Sequence, residues 1–476
     1  MRPPGPAEHS HRLPPGRRMG WWLVFLASGF PGQESAAERP GFATLRYNED
    51  WSFLHGDEPK TDLFDPIKYI PFGAETEPYL SLGGEARLKY ERYSEALLNQ
   101  KPADDDGFLL QRYLLHGDLR VTPHFRVFAQ FQSSLEDFRN GGPRPPDRDD
   151  IDWHQAFFDA VVPLAGRDSV TLRAGRQEMA CGSQRLVSVR ESPNNRLSFD
   201  AVRVLGQFGD WRADAWIAQP VETATGAFDD HRLDDTIFWG AYVTGPLECI
   251  PGLHADFYYF GLSRRDAKFA RATAGEHRHT VGTRLYGKRD HLDWNFEFAG
   301  QFGSFGDRRI LAWTAASDTG WTIPGLPWKP RVFLRADIAS GDHGHSSLGT
   351  FNPLFPRGAY FNEASLIGPQ NLMDLQPGVE LALTKSVKLT ASCDFVWRES
   401  LEDGVYGVAL NLQVPPGSSR DRFVGTFPSL SLIWQAGSHM SLTFNCVACS
   451  FGDFVSESLA GQKNGSYFST VATFRF

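Results

Sequence analysis

Arginine is the residue type whose placement carries the most chemistry in this chain. Its planar fork pairs bidentately with a carboxylate or phosphate and stays charged, so repeated guanidiniums make a reversible track for an anion. Arg87, Lys89, Arg112, Arg120, Arg126, Arg173, Arg203, Arg284 and Arg335 all fall on the polar positions of segments that alternate apolar and polar residues. Contacts of this kind must be several and individually weak if a solute is to be held without being trapped. The same faces also carry acid at Glu85, Asp118, Glu222, Glu297 and Asp337. A plain ion pair with a neighbouring carboxylate is therefore the competing role for each guanidinium.

Covalent chemistry has less to work with. The chain has no G-x-S-x-G and no H-E-x-x-H spacing. His277 with His279, and His343 with His345, share a parity and are the only candidates for a barrel-embedded hydrolase. No catalytic residue is assigned. Cys446 and Cys449 have CxxC spacing, but residues three apart on a strand point to opposite faces and do not share a metal. Five cysteines in 476 residues do not make a disulfide framework. The acidic runs Asp104–Asp106, Asp147–Asp152 and Asp229–Asp230 read as solvated loops. Bridging by a divalent cation is the sharper alternative, because hard cations prefer oxygen, but no EF-hand spacing supports it. No metal and no cofactor is assigned.

The elements that position the cations are strands. Leu80, Leu82, Ala86, Leu88 and Tyr90 share one face, and Ser81, Glu85, Arg87, Lys89 and Glu91 share the other. Leu109, Tyr113, Leu115, Leu119 and Val121 oppose Arg112, His116, Asp118 and Arg120 in the same way. Later segments repeat this: Leu292, Trp294, Phe296 and Phe298 against Asp293, Asn295, Glu297 and Gln301, then Val332, Leu334 and Ile338 against Arg331, Arg335 and Asp337. These runs approach the roughly ten residues that a tilted strand needs to cross a bilayer. A soluble sandwich encloses an apolar face, so charged enclosed faces argue against it. A wide barrel inverts the requirement, with lipid outside and water inside.

The totals fit. Aromatic residues make up 13%, including 37 Phe, and hydrophobic residues 41%. Mean hydropathy is nevertheless negative. A formal charge of −9 argues against a nucleic-acid partner. Arg17 and Arg18 followed by the apolar run Met19–Phe30 and the small residues Ser35–Ala37 predict a secretory signal over 1–37. No other apolar run approaches the ~20 residues of a membrane helix. A membrane-spanning mature chain must then be a closed barrel, because only helices and closed barrels satisfy every backbone polar group in lipid. Connections alternate between short (Val121–His124, Phe208–Trp211) and long, acidic and turn-rich (Glu136–Asp152).

The last segment places Phe468, Thr470, Ala472, Phe474 and Phe476 on one face and ends on an aromatic residue. It resembles the C-terminal signal of outer-membrane barrels. The expected fold is all-β: a single transmembrane antiparallel β-barrel of about 18 strands (16–18), with long extracellular loops and short periplasmic turns. The expected layout is a signal at 1–37, a periplasmic lead-in or plug segment at 38–76, and the barrel at 77–476.

A set of short stretches sharpens this reading. They are RYNEDWSFL (Arg46–Leu54), KYIPFG (Lys68–Gly73), LGGEARLKYE (Leu82–Glu91), QAFFD (Gln155–Asp159) and AGRQE (Ala174–Glu178). QRLVSVR (Gln184–Arg190), NRLSFDAVRV (Asn195–Val204), FDD (Phe228–Asp230), RHTVGTRLYG (Arg278–Gly287), ASGD (Ala339–Asp342), FNPLFPRGAYF (Phe351–Phe361) and GPQNL (Gly368–Leu372) follow. In order and spacing the set resembles the alginate export family of outer-membrane barrels. The resemblance implies an eighteen-stranded pore with an arginine-rich constriction that passively exports a polyuronate. It adds Arg176 and Arg185, which lie in the most family-like stretch, and Arg357, in a loop expected to fold inward. One departure weakens the substrate: Glu178 stands where the family pattern after GRQ has a basic residue.

The expected function is an outer-membrane pore for an anionic polysaccharide or other hydrophilic solute. A general or substrate-selective porin for small solutes is the alternative, and a secreted polysaccharide-binding sandwich is a more distant one. Expected partners are outer-membrane lipid, the solute itself and a periplasmic export complex.

Overall fold

The alternation closes into a barrel. Residues 41–476 of the computed structural model are described, apart from 57–59, 74–75, 96–97, 99–106, 345 and 418. The expected signal at 1–37, the run Asp104–Asp106 and His345 lie outside the described residues. Phe42–Phe476 is one structural unit.

Eighteen long strands form the wall. They are β1 (Tyr79–Ser94), β2 (Phe108–Thr122), β3 (Phe125–Asp137), β4 (Asp149–Pro163), β5 (Ser169–Gln177) and β6 (Phe199–Phe208). Then come β7 (Trp211–Glu222), β8 (Thr236–Pro246), β9 (Leu253–Phe269), β10 (Ala272–Arg289), β11 (Leu292–Phe305) and β12 (Arg308–Thr322). The last are β13 (Arg331–Ala339), β14 (Leu372–Ala382), β15 (Val387–Arg398), β16 (Phe423–Gln435), β17 (Met440–Phe451) and β18 (Gly465–Arg475). Each pairs antiparallel with its sequence neighbours, and β18 pairs back onto β1 from Glu85↔Arg475 to Ser94↔Ser466. Closure leaves no wall strand with an open edge, which is the condition for strands to stand in lipid.

Register fixes which face is wet. Ser81, Glu85, Arg87, Lys89 and Glu91 on β1 are buried in the lumen, while Leu88 and Tyr90 face out. The outer surface is strongly apolar: Ile217 is 58% exposed and Leu311 69%. So large an apolar surface is stable only under lipid. Outward aromatics form two belts, with Tyr90, Tyr113, Trp153 and Trp313 toward one end and Phe125, Phe208, Trp321 and Trp434 toward the other. Among the described residues no helix is long and apolar enough to cross a membrane.

The two rims differ. Turns at one end are short, such as 123–124, 209–210 and 290–291. At the other, most connections are long, notably 178–198, 340–371 and 399–422. Near the long-loop rim the inward positions of the wall turn apolar. Tyr93, Phe108, Leu110, Val447 and Tyr467 pack there against Leu366, Ile367, Val405 and Val414 of the loops. The lumen is thus part aqueous and part core, which strict alternation of wall residues does not reveal.

Candidate functional site

The lumen is shaped by two loops that fold into it. Loop 178–198 meets loop 340–371 through backbone bonds: Phe355 N–H donates to Leu186 O (2.9 Å) and Arg357 N–H to Gln184 O (3.2 Å). Both present apolar residues to the far wall, where Leu186, Val187, Phe351 and Phe355 pack with Trp216, Phe238 and Phe260. The Phe355 ring lies 5.1 Å from Phe199 and 4.9 Å from Phe238. This burial anchors the loops and leaves their polar edges facing the arginines of β1–β6.

Those arginines hold loop 178–198 from the other side. Arg87 donates to the carbonyls of Glu191 (2.6 Å) and Pro193 (2.8 Å). Arg112, fully buried, pairs with Glu85 at 2.7 Å and with the Glu191 carboxylate. Asn194 Nδ2 donates to the carbonyls of Gln111, Leu135 and Asp147. Lys89 pairs with Glu91 at 2.6 Å. Burial raises the Glu191 carboxyl, but Arg112 and Arg196 outweigh it and hold the group below the usual carboxylate range.

Toward the short-turn rim each expected cation has a carboxylate. Arg120 and Arg126 both pair with Asp118 (3.3 and 2.7 Å). Arg173 grips Asp159 bidentately (2.7 and 2.8 Å) and stacks on Tyr47 and Phe157. Arg203 pairs with Asp214, Arg284 with Asp256 at 2.7 Å, and Arg335 with Asp318 at 2.9 Å. In the loops, Arg185 reaches Glu297 (3.4 Å) and Asp337 (3.7 Å), while Arg357 donates to Tyr360 O (2.9 Å).

Arg176 is the exception to the expected set. It faces outward, on the same side of β5 as Leu172, where it pairs with Asp200 at 2.9 Å and approaches Trp153 O. It stands three residues from Arg173, so the period of two puts the pair on opposite faces. The same rule separates Cys446, exposed, from buried Cys449.

His277 and His279 also lie on the outer side of β10, and His279 stacks on Tyr259 and Phe302. His343 sits 3.4 Å from Glu399. Glu178, the acidic departure in GRQE, lies buried against Arg196 (2.7 Å) and His154 (2.8 Å). Its charge is therefore matched locally.

The described residues of 42–72 close in from the short-turn side. Tyr47 packs edge-on against Phe128 and Phe157, and its hydroxyl donates to Glu178 O (2.9 Å). Arg46 donates to Gly84 O (3.1 Å) and Phe476 O (2.9 Å). Phe64 stacks on Phe476 with ring centres 5.0 Å apart.

Sequence reading missed Arg190 and Arg196 as cations of the pore. Arg190 lies on the polar edge of the inward loop with a left-handed backbone (φ 55°). Its guanidinium has no hydrogen-bond or ion-pair partner among the described residues, and burial pushes its pKa down to about 10. It lines an outer cavity of about 670 Å³ with Lys89, Glu91, Arg144, Arg196 and Glu363. On the short-turn side a second cavity of about 260 Å³ is lined by Arg120, Arg126, Asp159 and Arg173.

The alginate export family matches residues 78–467. This chain belongs to that family. No curated protein matches it. Among solved structures it is similar to OpdK of Pseudomonas aeruginosa crystallised with vanillate, at 11% identity and a TM-score of 0.56, covering 83% of this chain and 98% of that one. A BenF-like porin from Pseudomonas fluorescens Pf-5 gives 8% identity and a TM-score of 0.58 over 83% and 98%. OccAB1 of Acinetobacter baumannii gives 12% and 0.55 over 83% and 96%. At these identities the likeness is one of fold. Family and fold together make the protein a channel of the bacterial outer membrane, with lipid around it and solute passing through.

Proposed function

We propose that the barrel passively conducts an anionic hydrophilic solute, an acidic polysaccharide foremost, along the guanidiniums between its two cavities. The observation that carries this reading is Arg190. Most lumen arginines spend their charge on a carboxylate of the wall, whereas Arg190 faces the outer cavity without a partner among the described residues. A passing carboxylate can take it, and the paired arginines around it offer weaker contacts on either side. Family membership supports the polymer.

A porin for small solutes is the second reading. The paired charges favour it, since acid and base are mixed along both cavities. The fold-mate crystallised with vanillate is consistent with a small carboxylate. Residues 42–72 form a plug segment at the short-turn mouth on this proposal, and a periplasmic export complex would meet the protein at that end.

Single-channel recording in planar bilayers separates the readings. Block by oligouronates that weakens several-fold in Arg190→Gln supports conduction of the acidic polymer. Steady current with no block in either protein removes the polymer and leaves the small-solute porin.

A further inference from the structure

β5 ends at Gln177, well short of the upper end of β4. The bare edge of β4 is taken up by the loop between β7 and β8. Asp150 N–H donates to Gly226 O (3.1 Å), Phe228 N–H donates to Ile151 O (3.0 Å), and Ile151 and Ala227 form a parallel bridge. Phe228 also sits edge-on to Phe131 at 6.3 Å.

This docking brings three carboxylates together. Oxygens of Asp149, Asp152 and Asp230 all lie within 4.8 Å of one another. Asp152 accepts from Asp229 N–H (3.1 Å) and Asp230 from Ala224 N–H (2.7 Å). Asp149 is wholly buried; the Gln132 amide stands nearby, but neither carboxylate oxygen has a well-formed hydrogen bond among the described residues. Arg176 reaches the Asp230 carbonyl at 3.5 Å and gives its charge to Asp200. A buried carboxylate without a donor is costly, and a third acid beside it raises the cost.

We propose that Asp149, Asp152 and Asp230 bind a calcium ion that staples the β7–β8 loop to the upper edge of β4. Calcium takes oxygen ligands at roughly 2.3–2.6 Å, so opposed ligands stand roughly 4.6–5.2 Å apart. Oxygens within 4.8 Å of one another can share such an ion. Magnesium holds its ligands at roughly 2.0–2.1 Å and keeps several waters, which suits a buried carboxylate less well. The ion would answer all three observations at once: the clustered acids, the orphaned oxygens of Asp149, and a loop that substitutes for missing strand.

The test uses the full-length barrel, purified in detergent free of lipopolysaccharide and stripped with EDTA. Calcium chloride alone is titrated by calorimetry, and the melting temperature is followed with and without calcium. The expected result is one site per chain and a melting temperature that rises with calcium, since ligand binding to the folded state stabilises it. Asp149→Asn and Asp230→Asn should weaken binding at least 10-fold and abolish the thermal response. Asp149→Asn removes a buried charge, so it should fold normally in EDTA, as checked by heat-modifiable gel migration. Wild-type protein without a calcium heat or thermal shift overturns the proposal. So does an Asp149→Asn variant that binds as tightly as wild type. A cluster that only shares a proton would be stabilised by acid and indifferent to calcium, which also overturns it.

Discussion

Four guanidiniums converge on the carboxylate of Glu191. Arg112 contacts it directly, and Arg87, Arg196 and Arg475 stand 4.0, 3.4 and 3.9 Å away. Its side chain is 40% exposed, so it faces the aqueous path. Glu191→Gln removes that negative charge and keeps the shape. Arg112 retains Glu85, and Arg87 retains its bonds to loop carbonyls, so the loop should stay in place. A monovalent ion passing at ~7 Å through water feels about 0.6 kcal/mol from a unit charge. Screening at 0.15 M, with a Debye length of ~8 Å, cuts this to about 0.25 kcal/mol. Cation and anion shift in opposite directions, so the permeability ratio should move toward anions by about 2-fold. At 0.01 M, where the Debye length is ~30 Å, the shift should grow to about 5-fold. Reversal potentials across a salt gradient in planar bilayers measure it. An unchanged ratio at both salt concentrations would mean that ions do not pass Glu191, and the path along the β1–β6 arginines would fall. The sign with pH follows from the depressed carboxyl. A group whose folded pKa is lowered gives stability that is present above the unfolded value and lost as pH falls through the folded one. The contribution of Glu191 to selectivity, read as the difference between wild type and Glu191→Gln, should thus be the same at pH 7 and pH 5. That difference should vanish only in stronger acid.

Two further substitutions probe the lumen. Arg173→Ala leaves buried Asp159 with Arg126 at 3.7 Å and removes the bidentate cation stacked on Tyr47, so it should destabilise the barrel by about 1.5–3 kcal/mol in denaturant unfolding. A loss below about 1 kcal/mol would show the pair to be solvated. Asn194→Ala leaves the carbonyls of Gln111, Leu135 and Asp147 without their donor, at a cost of about 2–4 kcal/mol. It should loosen loop 178–198, read as increased protease cutting within that loop and noisier channel current.

The wall was legible because a period of two under lipid tolerates no error. Each inward residue of β1, such as Arg87 or Glu91, is separated from the next by one that must meet lipid. Arg176 went astray because a motif was followed where parity already had the answer: three residues beyond Arg173 on one strand is the other face. The loops were not legible. Whether 178–198 turns into the pore depends on Phe355 finding Phe199 and Phe238, a match of shapes between segments far apart in sequence. Arg190 closes the family-like stretch QRLVSVR, but it became a site residue only through that fold. Asp149, Asp152 and Asp230 were visible as acidic runs, but their convergence depends on β5 being short.

The bonds of Arg46 bear on how the barrel is put together. Its two acceptors, Gly84 O on β1 and Phe476 O just past β18, come from opposite sides of the seam. While the sheet is open those acceptors are far apart, and one guanidinium cannot serve both. The clamp can form only after the ends have met, so it adds nothing to the rate of closure and acts wholly on the rate of reopening. Loss of Arg46 should leave insertion kinetics unchanged and shorten the lifetime of the closed seam. The segment before β1 is, in kinetic terms, a latch thrown last.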